Sequence, residues 1–142
     1  EERFSRFTPT EERAMMTLWC ISRSPLILGG NLPENRQGDL ALETNAEVLA
    51  VDQQGMAPRQ LSRGDGRVVW VSRAPGGKAW NVAFFNLQET SQPVTLALSS
   101  LGIAGTVSVR DLWIHKNLGN FKGSFTQPVP PHGGALFRVT AR

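Results

Sequence analysis

The chain has a single cysteine among its 142 residues, Cys20, and no apolar run of the ~20 residues that a membrane-spanning helix needs. One thiol excludes an intrachain disulfide, and the missing run excludes a helical membrane span. Cys20 falls within the apolar stretch Leu18-Trp19-Cys20-Ile21, so it reads as a small core residue, and cysteine usage says nothing of compartment. Charge of one sign is not concentrated either. The 15 Lys and Arg exceed the 12 Asp and Glu by three, but they are scattered from Arg3 to Arg142 without a basic stripe, which argues against nucleic acid as a partner. No apolar segment follows Glu1-Glu2-Arg3, so no secretory signal pattern opens the chain. With 40% hydrophobic and 19% charged residues, what is there can bury a core.

Reactive constellations are also missing. Sugar cleavage needs two carboxylates facing each other across the scissile bond, and no residues here mark such a pair. Glu11 and Glu12 read as helix-start charges, Asp39 as a helix cap and Asp65 as a turn residue between glycines. His115 and His132 have no Cys or acidic residue at metal-ligand spacing, so no metal site and no cofactor are expected. No Gly-x-Ser-x-Gly elbow occurs, and Gly102-Ile103-Ala104-Gly105 lacks the pattern of a phosphate loop.

Two periodicities divide the chain near Gln53-Gln54-Gly55, giving expected domains 1–53 and 54–142. The first reads as helix, strand, helix. Thr8-Pro9-Thr10-Glu11 supplies a hydroxyl cap, a proline at the first helical position and a carboxylate that reaches back, so a helix is expected from Pro9 to Ser22. Trp19 lies on its apolar face and is expected in the core. Leu26-Ile27-Leu28, between Pro25 and Gly29-Gly30, reads as a strand buried on both faces, and Leu40 to Val51 as a second helix re-aimed around Thr44-Asn45. Such a strand needs neighbours that the chain does not obviously provide, so the first part is expected to be the cut edge of a larger structure.

The second part is β throughout. Segments near 59–62, 67–73, 78–87, 93–98, 106–113, 123–129 and 134–140 alternate apolar and polar residues between turn clusters such as Gly64-Asp65-Gly66 and Pro75-Gly76-Gly77. Roughly seven or eight short strands imply a mainly β fold built on an antiparallel, Greek-key-like sandwich. Pro93 and Pro128 cannot donate to a ladder and belong at strand starts or edges. Trp70, Trp80 and Trp113 sit on expected strands, where they fill a core or, if exposed, stack on a sugar ring.

Three stretches together resemble glycoside hydrolase family 27, the α-galactosidases and α-N-acetylgalactosaminidases. They are Leu18-Trp19-Cys20-Ile21-Ser22-Arg23-Ser24-Pro25-Leu26-Ile27-Leu28-Gly29-Gly30-Asn31-Leu32, then Thr44-Asn45-Ala46-Glu47-Val48-Leu49-Ala50-Val51-Asp52-Gln53, and Asp111-Leu112-Trp113 with Leu118-Gly119 and Pro131-His132-Gly133. The resemblance implies that residues 1–53 are the last helix, strand and helix of a (β/α)8 catalytic barrel, and that the rest is the family's C-terminal β domain. It implies a C-terminal fragment of a retaining α-galactosidase-like hydrolase that completes the barrel. Its partners would be the missing N-terminal barrel and, through the parent enzyme, an α-galactoside carbohydrate. A homo-oligomer and a secreted, periplasmic or lysosome-like parent are further expectations from the family. The family's aspartate nucleophile and aspartate acid/base lie on earlier strands, so no catalytic residue is expected in this chain. Gly29, Gly30 and Asn31, at the C-terminal end of the barrel strand, would lie at the substrate-pocket rim. Asp52-Gln53-Gln54-Gly55 departs from the family's usual Asn-Gln-Asp-Pro. The alternatives are a non-catalytic carbohydrate-binding sandwich, which requires exposed, coplanar aromatics on one sheet face, an oligomerisation module, and one piece of a split enzyme.

Overall fold

The computed structural model describes residues 5–142. Thr8 caps the first helix, α1 (Pro9–Ile21): its hydroxyl accepts from the Glu11 backbone N–H at 3.2 Å, and the Glu11 carboxylate accepts from Thr8 N–H at 2.8 Å. The expected second helix is two, α2 (Gln37–Glu43) and α3 (Ala46–Gln54), because Thr44 closes one and Asn45 caps the other. Asp39 is not the cap of α2 but its third residue. Its carboxylate accepts from the backbone N–H of Arg36, the residue that occupies the cap position.

Eight strands follow: β1 (Met56–Gly64), β2 (Arg67–Arg73), β3 (Ala79–Asn86), β4 (Gln92–Ala97), β5 (Thr106–Asp111), β6 (Lys116–Lys122), β7 (Ser124–Val129) and β8 (Gly134–Ala141). Six form one antiparallel sheet in the order β1-β2-β3-β8-β5-β6, and β4 pairs with β7 in a two-stranded ribbon. Pro93 and Pro128 lie directly opposite each other in that ribbon. Two strands cannot bury a proline between ladders on both sides, so the ribbon accepts them where a central strand could not. β6 was not among the expected strands. Its residues, Lys116-Asn117-Leu118-Gly119-Asn120-Phe121-Lys122, are largely polar and exposed, as befits the sheet edge it forms.

The large sheet is covered on both faces. On one, Val69, Val71, Val82, Phe84, Val107, Val109, Phe137 and Val139 meet Val94, Leu96, Phe125 and Val129 of the ribbon. Phe125 sits at the centre, 5.6 Å from Phe84 and 4.9 Å from Phe137 between ring centres. On the other face, Val68, Ala83, Phe85 and Leu136 meet Met16, Cys20 and Ile21 of α1 and Val48 and Val51 of α3. The expected boundary near residue 53 is therefore a change of secondary structure inside a shared core. Gly134 makes the helix contact close: a Cβ there would lie 2.8 Å from the Ala14 Cα. Gly55, where the family usually has proline, is similarly confined, with the Val51 carbonyl 2.5 Å and the Ser72 hydroxyl 3.0 Å from a built Cβ.

Two expectations from the first part are corrected. Residues 25–29 are not a buried strand: they form no ladder, and Ile27 and Leu28 are 88% and 54% exposed, because among the described residues no strand lies beside them to pair. Trp19 is not in the core but 42% exposed, on the side of α1 that faces away from the sheet. Among the described residues no helix is long and apolar enough to cross a membrane.

Replacing Gly134 by Val should lower the unfolding free energy by about 1–3 kcal/mol through overpacking against α1. The control, Gly29→Ala, adds a methyl with nothing within 4 Å and should stay within about 0.5 kcal/mol of the parent. Urea titrations of the three proteins make the comparison.

Candidate functional site

An open groove of about 550 Å³ lies between α1 and residues 28–43. Gly29, Gly30 and Asn31 border it, as do Trp19, Met15 and Leu28. All three expected rim residues are exposed, and neither glycine has a heavy atom within 4 Å of a built Cβ.

Four carboxylates, Glu12, Glu34, Asp39 and Glu43, also line this groove. Three of them are engaged by neighbours. Arg36 binds Asp39 through two nitrogens at 3.0 Å each and Glu12 through a third contact at 3.0 Å. That guanidinium holds the Asp39 carboxyl below its usual range. Glu43 accepts from Asn35 at 2.9 Å. A pair free to attack and protonate a sugar is not assembled from these groups, and Glu12 and Asp39 share a cation that fixes the loop onto α1. Among the described residues no three His, Cys, Asp or Glu side chains cluster as a metal site would require.

The tryptophans proposed for sugar stacking are not brought together. Trp113 is 8% exposed and lies under α1: its indole N–H donates to the Thr17 hydroxyl at 2.9 Å, and Arg13 covers its ring. It is a core residue and is removed from the list of stacking candidates. Trp70 packs partly buried into the helix-side core, while Trp80 packs at the edge of the ribbon-side core with the Arg73 guanidinium 4.2 Å above its ring. Trp70 and Trp80 thus project from opposite faces of the sheet, and the coplanar aromatic platform required of a carbohydrate-binding sandwich is not formed by the three.

The sequence reading missed the polar joint that locks α3 to the sheet. Asn45, buried, donates through Nδ2 to the carbonyls of Leu112 (3.0 Å) and Trp113 (3.3 Å), while its Oδ1 accepts from the backbone N–H groups of Glu47 and Val48 at 3.1 Å each. Beside it, Arg110 grips Glu47 with two nitrogens at 2.9 and 2.7 Å, and the His115 ring reaches the same carboxylate at 3.0 Å. The Arg110 hydrogen bonds hold the Glu47 carboxyl below its ordinary range. Asparagine before a helix with an acid two residues later was the available signal; the strand partners 63 to 68 positions downstream were not.

With this geometry in hand, residues 64–139 match the family described as the alpha galactosidase C-terminal beta sandwich domain. The chain belongs to that family. It corresponds to the C-terminal portion of glycoside hydrolase family 27 enzymes, as its relatives show. The crystal structure of a family 27 β-L-arabinopyranosidase from Geobacillus stearothermophilus superposes with a TM-score of 0.93 at 41% identity, covering 97% of this chain and 32% of that one. Alpha-galactosidase D of Emericella nidulans is 28% identical over 93% of this chain and 20% of its own length. The isomalto-dextranase of Arthrobacter globiformis is 34% identical over 97% and 23% respectively. The chain thus spans between a fifth and a third of these proteins, and their names cover several different glycosidic bonds.

Asn45→Ala should cost about 2 kcal/mol in urea unfolding, since it removes a helix cap and strands two buried carbonyls. Glu47 adds a pH signature. Its folded-state pKa is depressed, so its stabilisation is present above the ordinary glutamate range and is lost as pH falls through the folded value. The stability gap between the parent and Glu47→Gln should be fullest at neutral pH and close on acidification, as read from urea midpoints across a pH series.

Proposed function

We propose that this chain is the non-catalytic C-terminal portion of a retaining glycoside hydrolase whose parent cleaves terminal α-galactosides or closely related pyranosides. Its work is structural. Residues up to about 53 supply the closing helix, strand and helix of a (β/α)8 barrel, and the sandwich anchors them. The observation that carries this reading is the asymmetry of the helical layer. One side of α1 and α3 is sealed onto the sheet, whereas Leu18, Trp19, Ile27 and Leu28 are exposed on the other. Burying what these four side chains still expose under neighbouring barrel strands would contribute on the order of 3–7 kcal/mol, at about 1.5–3 kcal/mol per fully buried side chain. The unpaired extended segment 25–29 would gain its ladder partners in the same step. Gly29, Gly30 and Asn31 would then lie at the C-terminal end of a barrel strand, where barrel enzymes place the substrate pocket.

The names of the relatives support a glycoside substrate for the parent, and their variety fits a division of labour in which the upstream barrel chooses the sugar. A transplant tests this. The corresponding third of the Geobacillus β-L-arabinopyranosidase is replaced by this chain, and hydrolysis of an aryl glycoside is followed. The chimaera should turn over substrate, and Ile27→Asp within it should abolish soluble, active enzyme. A folded chimaera indifferent to Ile27→Asp, or sustained aryl α-galactoside hydrolysis by this chain alone, would contradict the reading.

A further inference from the structure

On the helix-facing side of the large sheet lies a second groove of about 310 Å³, lined by residues of β5, β6 and β8 and the C-terminal Arg142. It contains a like-charge contact that folding alone would avoid. Arg110 of β5 and Arg138 of β8 are directly opposite each other in the antiparallel register, so both side chains leave the same face. Arg142 borders the groove as well. Among the described residues the carboxylate that contacts this cluster is Glu47, and it is taken by Arg110, whose remaining nitrogen donates to Asn117 at 3.0 Å.

Arg138 is held differently. Its Nε donates to the buried Asn81 side chain at 2.8 Å, and Asn81 donates in turn to Ser72 at 2.9 Å, so the guanidinium stem is fixed in place. Its two terminal nitrogens make no hydrogen bond to any described residue, and Arg138 is among the residues lining the groove. Partial burial pushes the guanidinium below its usual range, the sign of a cation held without enough compensating charge. Around it stand neutral groups suited to hydroxyls: Ser108 opposite Thr140, and Asn120 opposite Ser108.

We propose that this groove is a second, non-catalytic site that binds an acidic saccharide, with the sugar carboxylate on the Arg138 fork and ring hydroxyls on Ser108, Thr140 and Asn120. A planar guanidinium matches a carboxylate through two parallel hydrogen bonds, and the neutral rim adds the selectivity that a bare cation lacks.

The test follows backbone amide resonances of the 142-residue chain during titration with galacturonate, galactose or acetate at constant ionic strength. Galacturonate should give saturable shifts in β5, β6 and β8 at millimolar concentration, with galactose and acetate at least tenfold weaker. Arg138→Gln should weaken galacturonate at least tenfold, and Asn120→Ala, on an exposed edge strand, severalfold. Acetate binding as tightly as galacturonate would reduce the groove to a counter-ion patch and overturn the proposal. So would galactose binding equally well, no saturable galacturonate response, or unchanged affinity in a folded Arg138→Gln protein. If that variant does not fold, unchanged affinity in Asn120→Ala overturns it instead.

Discussion

The six-stranded sheet is apolar on both faces at its centre, and every other feature of the molecule follows from the need to cover both. Strand alternation places Val69, Val71, Val82 and Phe84 on one side and Val68, Ala83, Phe85 and Leu136 on the other. A sheet of this kind cannot face water on either side. The β4–β7 ribbon closes one face around Phe125, and α1 with α3 closes the other through a contact so near that position 134 has no room for a side chain. The helices are thus structural members of the sandwich as well as candidate members of a barrel.

That double membership explains where polar groups are concentrated. The joint at Asn45, Glu47 and Arg110 satisfies the carbonyls where β5 turns away and ties the start of α3 to the sheet. Thr17 and the Trp113 indole perform the same service for α1. These contacts hold α1 so that Leu18 and Trp19 face outward as a preformed surface. Covering such a surface releases apolar area from water without the further cost of ordering the chain.

Much of this was legible in the amino-acid sequence because it is local. The capping pattern Thr8-Pro9-Thr10-Glu11 marked the start of α1, and apolar-rich segments bounded by turn clusters marked β2, β3 and β8 closely. The family resemblance, carried by motifs around Leu26 to Asn31 and Asn45 to Gln53, matched the chain to the C-terminal portion of family 27 enzymes. What failed depended on partners. Leu26-Ile27-Leu28 has the composition of a buried strand, but composition cannot supply a neighbouring strand, and here the segment forms no ladder and leaves Ile27 and Leu28 exposed. Trp19 lies on an apolar stripe wider than the sheet can cover, so its burial could not be read from helical spacing. β6 escaped notice because an edge strand is not required to alternate. Trp113 was separated from the other tryptophans only by its hydrogen bond to Thr17, 96 residues away in sequence.

Amide hydrogen exchange of the chain on its own tests the central claim, that the helical layer belongs to the sandwich core. The account predicts that amides in α1 and α3 exchange as slowly as those of β2, β3 and β8 and are released with them in rising denaturant, while residues 26–31 exchange at close to free-chain rates. Residues up to 54 exchanging early and together, with the sheet still protected, would contradict it.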